Sequence, residues 1–160
     1  MTDRAARWAD PVLWSAVLVG LVLRWTPHAI WGLGPAIRDE SIYLQIASRI
    51  TSGQGMTAPK SWLWAPGYPY LLAFFRGWTP VPAVWAVPMF QGLLGAACCV
   101  AMYWLCVRVN GDRGSARWGA WLYAIHPTLV FFSGRLWCEA VYGPMLLLAV
   151  LGVLLSLIHI

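Results

Sequence analysis

Carboxylates are scarce in this chain: Asp3, Asp10, Asp39, Glu40, Asp112 and Glu139 are all there are in 160 residues. Lysine is scarcer still, because Lys60 is the single one beside ten arginines. With only 11% charged residues against 60% hydrophobic ones, the chain cannot cover a water-exposed surface, which excludes an ordinary soluble domain. A mean hydropathy of +0.64 fits a protein dissolved largely in lipid instead. No cluster of basic residues with interleaved aromatics occurs, so the net charge of +5 does not point to nucleic acid, and anionic membrane lipid is the better partner. Cysteines 98, 99 and 106 share one apolar run and Cys138 lies in another, where thiols act as small hydrophobes and imply no disulfide framework. An internal repeat, common in transporters, is also missing.

What is present is a series of long apolar segments. After a polar lead over residues 1–10, an apolar run extends from Pro11 through Trp25 toward Trp31, about one bilayer thickness of helix. No small-residue cleavage pattern follows it, so it reads as an uncleaved anchor rather than a signal peptide. Arg24 lies inside this span and either snorkels to the outer interface or serves a function within it. Gly32, Gly34 and Pro35 break the helix. Ile42, Tyr43, Ile46, Ala47 and Ile50 then recur at helical spacing opposite Ser41, Gln45, Ser48 and Arg49, the pattern of a short helix lying on a membrane. An aromatic turn over 62–69 leads into a second short helix from about Tyr70 to Trp78. Residues 81–107 make a second span, with Gly92, Gly95 and Ala96 as a small-residue packing face. A basic loop carries Arg108, Asp112, Arg113 and Arg117. A third span over 118–132 contains His126 and Pro127, for which the plain reading is a packed histidine in a kinked helix. A tight turn at Ser133, Gly134 and Arg135 precedes a fourth span that begins near Leu136 and holds Glu139 in its first turn.

The expected fold class is therefore an all-α integral membrane protein with about four transmembrane helices and two short interfacial helices in the first external loop, residues 32–80. Four spans put both termini and the 108–117 loop on one side, and Arg4 and Arg7 make that side cytoplasmic by the positive-inside rule. Arg38, Arg49, Lys60, Arg76 and Arg135 would face the other side, where basic residues at headgroup depth suit a lipid phosphate. The arginine-rich usage suggests a GC-rich genome and hence a bacterial inner membrane. Residues 155–160, Leu-Ser-Leu-Ile-His-Ile, read as a translation of the transposase adapter end used in sequencing libraries. The natural sequence is accordingly expected to stop at about Leu154, with 155–160 a scar to be left out of fold reasoning and 11–154 the module that carries the fold.

One polar island stands out: Arg38, Asp39 and Glu40, just after the first span. Acids at a helix start cap free N–H groups and meet the favourable end of the dipole, so capping alone would account for them, and Glu139 has the same explanation. The order of features also has a likeness. The external acid pair, two interfacial helices, the Ala65-Pro66-Gly67-Tyr68-Pro69 turn, Gln91, His126 with Pro127, and Glu139 opening the fourth span together resemble the membrane glycosyltransferases of the GT-C class. The closest likeness is to the dolichyl-phosphate-mannose protein mannosyltransferase and aminoarabinose transferase relatives, over about residues 8–154.

That resemblance implies transfer of a sugar from a polyprenyl-phosphate carrier to an acceptor hydroxyl, on a protein, lipid or glycan, at the external face. Such a reaction needs a general base for the hydroxyl and positive charge where the phosphate leaves. The resemblance makes Asp39 the candidate base and Glu40 its supporting neighbour. Glu139 matches the family's second acidic position and is the candidate ligand for a divalent metal ion. Arg38, Lys60 and Arg135 are candidates for the carrier phosphate by position and charge. Many relatives carry further spans and an outer domain, so this chain is expected to be an N-terminal part, inactive alone. Residues 51–80 contain no acid, where aminoarabinose-type relatives commonly have one. Two other classes remain open: a transporter or flippase with Arg24, His126 and Glu139 along a pathway, and a non-catalytic membrane subunit.

Overall fold

The computed structural model describes residues 10–32, 36, 38–57 and 61–157, and among them the regular elements are all helices. The expectations for the lead through residue 9, including Arg4 and Arg7, for the 33–35 break, for Lys60 and for residues 158–160 lie outside the described residues. Helix α1 runs Pro11–Trp31, α2 Asp39–Thr51, α3 Gly67–Trp78, α4 Ala83–Asn110, α5 Arg113–Ile125, α6 Pro127–Ser133 and α7 Glu139–Leu157, with a 3₁₀ turn at Ser61–Leu63 before α3.

Two segments, Pro11–Ile30 and Ala83–Asn110, are long and apolar enough to cross a membrane, and Glu139–Leu154 is a shorter apolar helix. Their outward faces carry large apolar side chains, among them Trp14, Leu18 and Val22 on α1 and Met145, Leu146, Leu148 and Val153 on α7. Such faces are unusual against water.

The interior holds small residues instead. Ala116, Ala120 and Ala124 recur every four positions on α5 and are fully buried against Leu13 and Ala16 of α1 and Cys99, Tyr103 and Val107 of α4. This alanine stripe lets three helix backbones approach closely. The α4 glycines serve the same end: a Cβ on Gly95 would come within 2.5 Å of the Arg24 Nε, and one on Gly92 would collide with the Trp25 indole. Helix α7 packs on the far side of α4 through Cys98, Ala101 and Leu147.

Asp10 ties one end of the bundle together. Its carboxylate caps α1 by accepting from the Val12 N–H at 3.1 Å, and takes the Tyr103 hydroxyl of α4 at 3.1 Å and the Arg117 Nε of α5 at 3.0 Å. Burial pushes the Asp10 carboxyl up, but the hydrogen bonds from Arg117, Val12 and Tyr103 outweigh it and hold the group below its ordinary value of 3.8. A carboxyl depressed on folding stabilises the fold above its unfolded value, and that stabilisation is lost as the pH falls through the folded value. Thermal unfolding in detergent should therefore show a loss of stability as the pH drops below about 4. Asp10→Asn should lower stability at neutral pH and flatten that part of the profile.

Three expectations need correction. The third span over 118–132 is not one helix: α5 and α6 have 13 and 7 residues, and neither alone has the roughly 20 a crossing needs. His126 adopts an extended conformation, φ −60° and ψ 117°, because the Pro127 ring clashes with a helical residue before it, and Pro127 then opens α6. The basic loop shrinks to Gly111 and Asp112, so Arg108, Arg113 and Arg117 are helical; Asp112 caps α5 by accepting from the Ser115 N–H at 2.8 Å. Finally, the apolar face of α2 does not lie open. Tyr43 and Ala47 pack against Tyr68, Leu72 and Ala73 of α3, with Val87 and Leu136 closing the cluster. The exposed apolar face of this region belongs to α3, where Tyr70, Phe74 and Trp78 line up and the last two stack at 5.2 Å.

Candidate functional site

Helix α2 starts on Arg38, whose φ of 46° is the one positive value on a non-glycine residue among those described. This turn sends the next two acids in different directions. Asp39 is half-buried in the first turn, and no described residue donates a hydrogen bond to it. Glu40 points inward and is 1% exposed. Its Oε2 accepts from Arg135 Nη2 at 2.6 Å and its Oε1 from the Leu136 N–H at 3.1 Å, so one carboxylate fixes the turn between α6 and α7. Charge pairing and a backbone donor together make that burial tolerable.

Gln91 secures the same turn from α4. Its Nε2 donates to the carbonyls of Ser133 at 3.0 Å and Arg135 at 2.8 Å, and its Oε1 accepts from the Tyr68 hydroxyl at 2.6 Å. One buried amide thus joins α3, α4 and the 133–136 turn. Tyr68 meets Tyr43 edge to face at 4.9 Å, and Tyr43 meets Trp64 at 5.2 Å. Burial pushes both phenols up. Tyr43 is raised further by a hydrogen bond with Cys138 and by the charges of Glu139 and Asp39. The Cys138 thiol is pushed up by burial, partly offset by Tyr43 and reinforced by Glu139, whose Oε2 lies 3.5 Å from its Sγ.

Beside this cluster opens a groove of about 380 Å³ with nearly apolar walls, lined by Ala65, Gly67, Tyr68, Leu71, Cys138, Val141, Tyr142 and Met145. The Glu40–Arg135 pair thus ties the start of α2, which carries Asp39, to the start of α7, which carries Glu139. Arg38 is exposed at the head of α2 and Glu139 is exposed at the head of α7. Glu40 and Arg135 are committed to each other, so neither is a free acid or a free cation. Lys60 lies outside the described residues. Among the described residues no three His, Cys, Asp or Glu side chains form a group able to hold a metal ion, so the described side chains do not supply a complete ligand set around Glu139.

Arg24 shares the lining of a small cavity with Glu139, whereas His126 stands at the α5–α6 break. Arg24 does not snorkel: it is 1% exposed, and its guanidinium donates to the carbonyls of Gly20 at 2.8 Å, Ala124 at 3.0 Å and Tyr123 at 3.2 Å. Tyr123 needs that donor, because the residue four positions on is Pro127, which has no N–H. His126 is exposed at the break itself.

Sequence reasoning passed over the Tyr43–Tyr68 pair and His28. A lone amide or imidazole in an apolar run was the available signal, since buried polar groups need partners. In comparisons with known proteins, no family model, curated protein or solved structure matches the chain.

Proposed function

We propose that this chain is the N-terminal part of a membrane glycosyltransferase that moves a sugar from a polyprenyl-phosphate donor to an acceptor hydroxyl on the external face. In this reading α1, α4, the α5–α6 pair and α7 cross a bacterial inner membrane with the N-terminus cytoplasmic. Helices α2 and α3 lie at the outer surface, with Tyr70, Phe74 and Trp78 as their interfacial anchor. The observation that carries the proposal is geometric: Glu40 binds Arg135 and the Leu136 N–H, which ties the start of α2, with Asp39, to the start of α7, with Glu139, and Cys138 at that same start lines an apolar groove suited to an isoprenoid chain.

Asp39, without a hydrogen-bond donor among the described residues, takes the proton of the acceptor hydroxyl as its oxygen attacks the anomeric carbon. The bond from that carbon to the carrier phosphate breaks, and the phosphate leaves with the electron pair toward Arg38. Glu40 and Arg135 act as positioning residues, holding the start of α2 against the start of α7. A pathway for transport would draw on Arg24, His126 and Glu139, but Arg24 is committed to three carbonyls, which favours the transferase.

The test is Asp39→Asn in the full-length gene, with sugar transfer from a polyprenyl-phosphate donor as the readout. Loss of general-base catalysis should lower the rate by about 10²- to 10⁴-fold with donor binding retained. Transfer at the wild-type rate would remove Asp39 from the chemistry.

A further inference from the structure

Glu40 borders a second cavity, of about 180 Å³, lined also by His28, Leu44, Val84, Trp85 and Leu136 together with Ala36. His28 is 5% exposed, yet neither Nδ1 nor Nε2 has a hydrogen-bond partner among the described residues. Its ring contact is with Trp85, edge to face at 4.4 Å. Leaving a buried imidazole unsatisfied is costly, so this arrangement calls for a partner that enters the cavity.

From these facts we infer that the cavity is a binding site for a small neutral alcohol. The Glu40 carboxylate at its edge is already paired with Arg135, so no uncompensated charge faces the ligand. Neutral imidazole offers one donor and one acceptor, which a hydroxyl matches. A water held in this space needs two to four hydrogen-bond partners. Leucine, valine and alanine walls do not provide them, whereas a compact carbon frame with one hydroxyl satisfies both kinds of wall. The site lies between the last turns of α1, the start of α4 and α2, so a ligand of this class can arrive from the surrounding apolar phase. This inference does not rest on the transferase reading.

Cyclohexanol is the probe, with methylcyclohexane as its partner of similar size lacking the hydroxyl, both added to the protein in lipid nanodiscs. Saturation-transfer NMR should show saturable cyclohexanol binding that weakens at least fivefold in His28→Leu and vanishes in Val84→Trp, which fills the cavity. Methylcyclohexane should bind no more weakly to His28→Leu than to wild type. A readout on the unaltered protein comes from ¹⁵N-labelled histidine: one of the three imidazoles should shift with cyclohexanol and not with methylcyclohexane. Unmoved imidazole signals together with equal binding to wild type and Val84→Trp would mean a water-filled void, and would overturn the site.

Discussion

Arg135→Leu should destabilise the fold by about 3–5 kcal/mol, because it takes from the buried Glu40 carboxylate the arginine it pairs with at 2.6 Å. The two partners are not equivalent. The Glu40 side chain is 1% exposed and that of Arg135 is 19% exposed, so an arginine that loses its partner can still turn toward water whereas the glutamate cannot. Glu40→Leu should therefore cost less than Arg135→Leu, its main penalty being the Leu136 N–H left without an acceptor. Glu40→Gln should be milder again, since the amide oxygen still accepts from Leu136. The double replacement should recover much of the loss seen in Arg135→Leu, as expected when the damage comes from an uncompensated charge rather than from missing attraction. Thermal unfolding of the four variants in one detergent gives the cycle. Equal stability of Arg135→Leu and the double variant would show that Glu40 finds another partner.

The same ion pair shows how far the sequence could be read. Periodicity and composition were enough to place α1, α4 and α7, because a helix that buries small residues and exposes large ones leaves an apolar run of the right length. The two short helices before α4 were legible for the same reason, down to the shared face of Tyr43, Ile46 and Ala47. What covers that face was not legible, since an amphipathic helix pairs equally well with lipid or with a neighbour, and α3 supplied the neighbour. Asp39 and Glu40 are adjacent and chemically alike, so no pattern could assign one inward and the other toward the rim. That division depends on Arg135, 95 positions away, and on the Leu136 N–H. The Gln91 bridge between the Tyr68 hydroxyl and the 133–136 turn is equally a product of tertiary contact.

Arg24 leads to the other large expected effect. Its guanidinium meets the carbonyl end of α5, where the helix dipole is negative and where the Pro127 break leaves carbonyls without backbone donors. The cation is thereby stabilised by carbonyl dipoles, and two of the free carbonyls of α5 gain a donor. Arg24→Leu should cost about 2–4 kcal/mol, since hydrogen bonds to a charged group are lost and buried carbonyls are left unpaired. Arg24→Lys should recover only part of this, because a single ammonium cannot span Gly20, Ala124 and Tyr123 as the planar fork does. The decisive variant is Pro127→Ala, which restores an N–H at the position able to reach the Tyr123 carbonyl and lets α5 run on into α6. Placed on Arg24→Leu it should return part of the stability, and placed on the wild-type chain it should return none. Unfolding midpoints of the single and double variants test this directly. If Pro127→Ala were no more favourable in the Arg24→Leu background than in the wild-type chain, the arginine would not be acting as the cap of α5.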